Sequence, residues 1–107
     1  MNYTVFLTDT ARQDLKEIAF WIAEQSKNAA IAKRFVSGLR AECQKLETFP
    51  NSGALPKDRV LKSMGYRFLV HKDYLIFYLV DEEKAAVNVM AIFHAKRDYM
   101  RVMKKFI

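Results

Sequence analysis

Cysteine and glycine are scarce in this chain, and each shortage removes a class of chemistry. One cysteine, Cys43, stands among 107 residues, which excludes an internal disulfide and leaves no cysteine-based metal site. Placed on the apolar side of a helical pattern, that thiol reads as a small core residue rather than a nucleophile. Three glycines are too few for the loops that cradle nucleotide phosphates, and the chain has neither a Cys/His cluster nor a His-Glu-x-x-His pair. No metal and no cofactor are expected. The longest apolar run, Tyr74 to Val80, is far too short to span a bilayer. Met1 to Leu7 lacks the basic start and small-residue cleavage site of a secretory signal, so a cytoplasmic protein with no membrane partner is the expectation.

Acidic residues are also in short supply. Eighteen Lys and Arg against twelve Asp and Glu give a net charge of +6 and a sequence pI near 9.6, which points to an acidic or polyanionic partner. Many domains are as basic without touching nucleic acid, so charge alone does not choose the partner. At this length residues 1–107 form one domain, large enough to hold a single core without staples.

The apolar pattern then orders the elements. Asn2 to Leu7 reads as a strand with Tyr3, Val5 and Leu7 on one face. Thr8 or Thr10 can cap the helix that follows, Thr10 with Gln13 having capping-box spacing. Ala11, Leu15, Ile18, Ala19 and Ile22 recur at helical steps to about Gln25, with Arg12, Asp14, Lys16 and Glu17 on the outer side. Ser26 or Asn28 caps a second helix with Ala32, Phe35, Val36, Leu39, Cys43 and Leu46 on one stripe, so Ala11 to Phe49 reads as a helical hairpin. Pro50 ends it. Ala54 to Met64 is the least regular stretch, a loop with a short strand near Val60-Leu61. Gly65 to Asp81 reads as a hairpin turning at Lys72-Asp73, and Ala86 to His94 as a last strand with Val87, Val89, Ala91 and Phe93 alternating against Asn88, Met90, Ile92 and His94. A short terminal helix follows, with Asp98 as its cap and Tyr99, Val102, Met103 and Phe106 at helical spacing. The fold class is α+β: a strand and helical hairpin packed on one face of a twisted antiparallel sheet of about four strands, the other face partly open.

The chemistry-bearing residues concentrate after residue 56. Metal-free RNA cleavage needs a base for the 2′-hydroxyl, an acid for the leaving oxygen and cations for the phosphorane. His94, followed by Lys96 and Arg97, is the candidate centre, with Arg67 from a neighbouring strand as phosphate holder; His71 is a weaker candidate. Each has a plainer reading. A histidine at a strand end is commonly a hydrogen-bonded structural residue. Arg67, set in an apolar strand, must meet a carboxylate, a phosphate or solvent, and Asp98 or Glu47 would serve. The tyrosines read as core or edge packing before they read as base-stacking groups.

Five pieces taken together, Ala11-x-x-Asp14-Leu15-x-x-Ile18, Leu46-x-x-x-Pro50-x-x-Gly53, Gly65-Tyr66-Arg67-Phe68, Tyr74-x-x-Phe77-Tyr78-x-Val80-Asp81 and His94-x-x-Arg97-Asp98, resemble the RelE/ParE superfamily of type II toxins. The resemblance covers almost the whole chain. It implies a helical hairpin on an antiparallel sheet, and an acidic antitoxin whose flexible C-terminal part wraps the toxin. RelE-like members cut mRNA on the ribosome, and ParE-like members poison DNA gyrase. RelE-like enzymes usually carry arginine directly after the strand tyrosine, where this chain has Leu75, and a tyrosine near the end, at a position matching Met103; Lys96 and Arg97 match their basic pair. The resemblance therefore leans to the ParE side: a gyrase inhibitor, with Arg67, Lys57, Arg59, Lys62, Arg97, Tyr99 and the C-terminal segment in its contact surface. The alternatives are an mRNA endonuclease using His94, Arg67, Lys96 and Arg97, and a degenerate member that only binds antitoxin.

Overall fold

Capping side chains start every α-helix of the computed structural model, which describes residues 2–107. Strand β1 (Thr4–Leu7) leads to α1 (Asp9–Ser26), where the Thr8 hydroxyl accepts the Ala11 N–H at 3.1 Å. Thr10 lies inside that helix, so Thr8 is the cap. Lys27, in the left-handed region with φ 56°, turns the chain into α2 (Ala29–Gln44), whose first amides, Ala30 and Ile31, donate to the Asn28 side chain. A tight turn at Lys45–Glu47 stops the hairpin short of the expected Phe49. The segment expected to hold a short strand at Val60-Leu61 is instead a helix, α3 (Arg59–Ser63). Its N-terminal signal is Asp58, whose carboxylate accepts the Leu61 N–H at 2.9 Å and outweighs the β-branched Val60. Gly65, with φ 93°, takes the conformation that releases the chain from α3. Strands β2 (Arg67–His71), β3 (Tyr74–Asp81) and β4 (Ala86–His94) follow, then α4 (Tyr99–Met103), capped by Asp98.

The four strands run in the order β1-β4-β3-β2. β2, β3 and β4 are antiparallel neighbours, as the tight turns between them require. β1 is parallel to β4, which makes the sheet mixed rather than antiparallel. The direction of β1 is set by the long excursion that separates it from β4, and no local turn signal carries that information.

A second correction concerns β4. Phe77 pairs with Ala91 and Tyr78 with Val89, so Met90 is left without a partner. This bulge reverses the alternation that the sequence suggests. Val87 and Val89 pack toward the helical hairpin, but so does Ile92, while Ala91 and Phe93 turn to the opposite face. Two apolar layers result. Leu15, Leu39, Leu46, Ile76 and Tyr78 fill the space between hairpin and sheet, and Cys43 joins them, its thiol pushed up to about 11 by burial. On the other face Phe77, Phe93, Tyr66, Leu61 and Met103 lie beneath α3 and α4.

Two polar contacts tie the layers together. The Tyr78 hydroxyl accepts the buried Gly53 N–H at 2.9 Å, Arg67 Nη1 donates to the Gly53 carbonyl at 3.0 Å, and Ala54 and Phe68 exchange backbone hydrogen bonds beside them. The second contact lies where β1 ends. Its last pair is Leu7 with Val89, and beyond it Asp14 of α1 accepts the Ile92 N–H at 2.9 Å in place of a strand. Burial holds the Asp14 carboxyl above its ordinary value, against the lowering effects of that N–H, Lys105 and Arg97.

Four substitutions test these contacts. A Cβ on Gly53 would sit 2.6 Å from the Tyr78 hydroxyl and 2.8 Å from the Phe68 carbonyl, so Gly53→Ala should cost about 1–3 kcal/mol through overpacking. Tyr78→Phe, which strands the Gly53 N–H, should cost about 1–3 kcal/mol; urea unfolding reads both. For Asp14, the raised folded value means that the native state holds its proton to higher pH than the unfolded chain. Its contribution is therefore greatest below the ordinary value of 3.8 and declines as pH rises through the folded value. Asp14→Asn keeps an oxygen for the Ile92 N–H and removes this decline, so its stability relative to the native chain should rise from pH 3 toward neutrality. Asp14→Ala should lose about 1–3 kcal/mol by leaving that N–H unpaired. A pH series of urea unfolding on the three proteins compares them.

Candidate functional site

Arg67 meets neither a carboxylate nor a phosphate but a backbone carbonyl. It stands opposite Tyr78, and with Leu69 and His71 it points toward the hairpin, where it holds the Gly53 carbonyl. Neither expected carboxylate reaches it: Asp98 caps α4, and the Glu47 side chain takes the Gln44 amide. Among the described residues its guanidinium forms no ion pair. His94 stands opposite Tyr74 on the far side of β3, four residues along from the Tyr78 that faces Arg67, a separation of roughly 13 Å along the strand. Arg67 and His94 therefore do not share a site, and β2 is not a neighbour of β4.

His94 belongs to a cleft at the end of β4. The bulge at Met90 puts it on the same side as Ile92, edge-on to the Tyr74 ring at 5.2 Å. Its Nδ1 accepts the Lys96 N–H at 3.1 Å, which in the neutral ring leaves the proton on Nε2. The cleft, of about 290 Å³, is lined by Asp14, Glu17, Trp21, Tyr74, His94 and Arg97. Lys96 is exposed and contributes only its backbone to this arrangement. Sequence periodicity places Asp14 on the outer, solvated side of α1, whereas the structure half-buries it; an acid in the Ala11-x-x-Asp14 piece was the available signal. Trp21, 55% exposed at the rim, carried no signal beyond its size. His71 lies elsewhere, with Nδ1 3.5 Å from Glu42 and its ring against Phe35.

The remaining candidates gather on the opposite face. A groove of about 350 Å³ is lined there by Leu55, Lys57, Phe68, Leu75, Phe77 and Tyr99. Its floor is aromatic: the Phe77 ring stacks with Phe68 at 5.3 Å, Phe93 at 5.5 Å and Tyr99 at 5.9 Å. Arg59 and Lys62 are exposed on α3 nearby in sequence, and Lys57 supplies the groove's one cationic lining residue. Leu75 is part of the apolar lining, and Met103, on the inner side of α4, is fully buried. The groove can therefore take an apolar side chain, with Lys57 available to an acidic neighbour, but it offers no paired acid and base.

The family model for the ParE toxin of type II toxin-antitoxin system, parDE, matches residues 5–99. No curated protein matches the sequence. Among solved structures, the chromosomal ParDE system of P. aeruginosa superposes with TM-score 0.73 at 18% identity, over 88% of this chain and 97% of that one. The toxin-antitoxin complex RelBE2 from Mycobacterium tuberculosis gives 0.68 at 23% identity, over 90% and 95%. A mutant E. coli toxin RelE in the free state gives 0.63 at 14% identity over the whole of both chains. These likenesses establish the fold, and the match over most of the sequence establishes the lineage: the chain belongs to the ParE toxin family, and is a toxin of a type II toxin-antitoxin system within the RelE/ParE superfamily.

Proposed function

We propose that this toxin arrests growth by binding and inhibiting DNA gyrase, without cutting RNA, and that a cognate acidic antitoxin holds it inactive. The observation that carries the reading is the apolar groove around Leu75. Cleavage of an RNA strand needs cations on the developing phosphorane and an acid and a base on either side of it. At the place where a nuclease relative would hold the phosphate with arginine, this chain has Leu75 beside Phe68 and Phe77, and the position matched to the family's late tyrosine is the buried Met103.

The other basic residues do not supply the missing set. His94 and Arg97 share their cleft with Asp14 and Glu17, whose negative charge repels a phosphodiester. Arg67 is occupied with the Gly53 carbonyl. A binding surface is the better use of these features: an aromatic-floored groove rimmed by Lys57, with Arg59 and Lys62 on α3, and Arg97 and Tyr99 leading into the basic C-terminal segment. Exposed apolar area with a cationic rim suits a macromolecular partner. The net charge of +6 favours rapid encounter with gyrase-bound DNA or with an acidic antitoxin.

Purified toxin should block gyrase supercoiling and leave cleaved DNA, and His94→Ala should retain both effects and the growth arrest. Lys57→Glu, at an exposed rim position, should weaken gyrase inhibition roughly tenfold, about 1.4 kcal/mol, without altering stability. Gyrase untouched at high molar excess would sink this reading. Ribosome-dependent mRNA cleavage abolished by His94→Ala would replace it with the nuclease, and an induced chain that does not slow growth would replace it with a purely antitoxin-binding role.

A further inference from the structure

The two margins of the sheet are finished differently. On β2 the outward backbone groups of Phe68 are covered by Ala54, which exchanges hydrogen bonds with them in both directions. β1 forms the other margin, and among the described residues nothing pairs with its middle. Thr4 and Thr8 donate their N–H groups to the Ala85 and Val89 carbonyls, so the even-numbered residues here turn their backbone toward β4. Tyr3, Val5 and Leu7, on the other phase, turn theirs outward. Two of these outward groups are taken: the Glu47 carbonyl accepts the Tyr3 N–H at 2.8 Å, and Arg12 Nη1 donates to the Leu7 carbonyl at 2.7 Å. Left free are the Tyr3 carbonyl, both groups of Val5 and the Leu7 N–H. Nothing in Thr4-Val5-Phe6-Leu7 discourages pairing: the run has no charge, no proline and no bulge, and Phe6 is 52% exposed.

We propose that this margin pairs with the same margin of a second copy, joining the two sheets antiparallel across a two-fold axis at Val5. The free groups are self-complementary about that residue. Each Val5 N–H meets the other copy's Val5 carbonyl, and each Leu7 N–H meets the other copy's Tyr3 carbonyl. The groups that a longer ladder would also need, the Tyr3 N–H and the Leu7 carbonyl, are those already satisfied within the chain. Thr4 then stands opposite Phe6 of the second copy, an aromatic and β-branched pair that covers ring surface otherwise exposed. The axis is normal to the sheet, so both helical hairpins lie on one side. α1 packs mainly over β4, and the two β4 strands lie three strand spacings apart, about 14 Å, which leaves room for two helices about 10 Å across. On the other side the groove floored by Phe77 is presented twice, facing one way.

This inference is independent of the target and of the antitoxin. One strand pair buries little area, so the dimer is weak, with a dissociation constant of about 10–100 µM. Sedimentation of the free toxin from about 5 to 500 µM should follow a monomer–dimer equilibrium that closes at two copies. Added salt should strengthen it, because each copy carries a net charge of +6. Over the same range the Val5 and Leu7 amides should slow their exchange by about threefold or more. Phe6→Lys and Thr4→Lys, both at exposed positions, should each weaken association by about tenfold or more and leave urea unfolding unchanged. A toxin that stays monomeric throughout the range would overturn the proposal. So would a dimer whose Val5 and Leu7 amides exchange as in the monomer and which both lysine variants leave intact, and so would growth beyond two copies, which an edge consumed by its own symmetry does not allow.

Discussion

The pairing of β4 with β3 on one side and β1 on the other is the constraint on which the rest of the molecule depends, and the unpaired Met90 within it decides what each half of β4 does. Before the bulge, Val87 and Val89 seal the layer beneath the helical hairpin. After it, Phe93 is delivered to the aromatic stack on the opposite face, and Ile92 and His94 to the hairpin side. Had Met90 paired with Phe77, Phe93 would stand opposite Tyr74 and point at the hairpin, and His94 would turn to the face of Leu75. The charged cleft and the apolar groove thus both depend on one displaced backbone residue.

The same dependence shows how far the sequence could be read. The helices were legible because their caps and stripes are local: Thr8, Asn28 and Asp98 sit where N-terminal signals belong, and Leu15, Ile18, Leu39 and Leu46 fall on inward faces. The β2–β3 hairpin was legible because strong β-formers flank a polar turn at Lys72-Asp73. What escaped were features set by distant parts of the chain. Neither the direction of β1, nor the bulge at Met90, nor the helix started by Asp58 in a stretch broken by Pro56 follows from periodicity alone. Arg67 is the plainest case: its pleat position is fixed by register with Tyr78, and its partner, the Gly53 carbonyl, lies 14 residues away with no charge to announce it.

That clamp also gives a physical account of residues that the family resemblance groups together. Gly53 has no room for a side chain because the Tyr78 ring and the Phe68 carbonyl close over it, and both of its backbone polar groups are spoken for by Tyr78 and Arg67. A Pro-x-x-Gly turn, a Gly-Tyr-Arg strand and a Phe-Tyr strand are three pieces of one joint. The joint fixes the loop that brings Leu55 and Lys57 to the rim of the second-face groove. Arg67 thus acts on that surface through backbone geometry, with its charge partly spent on a carbonyl.

The two surfaces, though on opposite faces, share one short stretch of backbone. The cleft beside α1 and the groove beside α4 lie on opposite faces of the same sheet, and the short segment from Arg97 to Tyr99 contributes a lining residue to each. Arg97 lines the cleft on one side of that segment, and Tyr99 lines the groove on the other. The segment is itself held by few bonds: the Arg97 N–H on the His94 carbonyl, the Lys96 N–H on the His94 ring, and the Asp98 cap. Both surfaces therefore draw a lining residue from the few residues that introduce the C-terminal helix, and the bonds that fix that segment fix Arg97 and Tyr99 together.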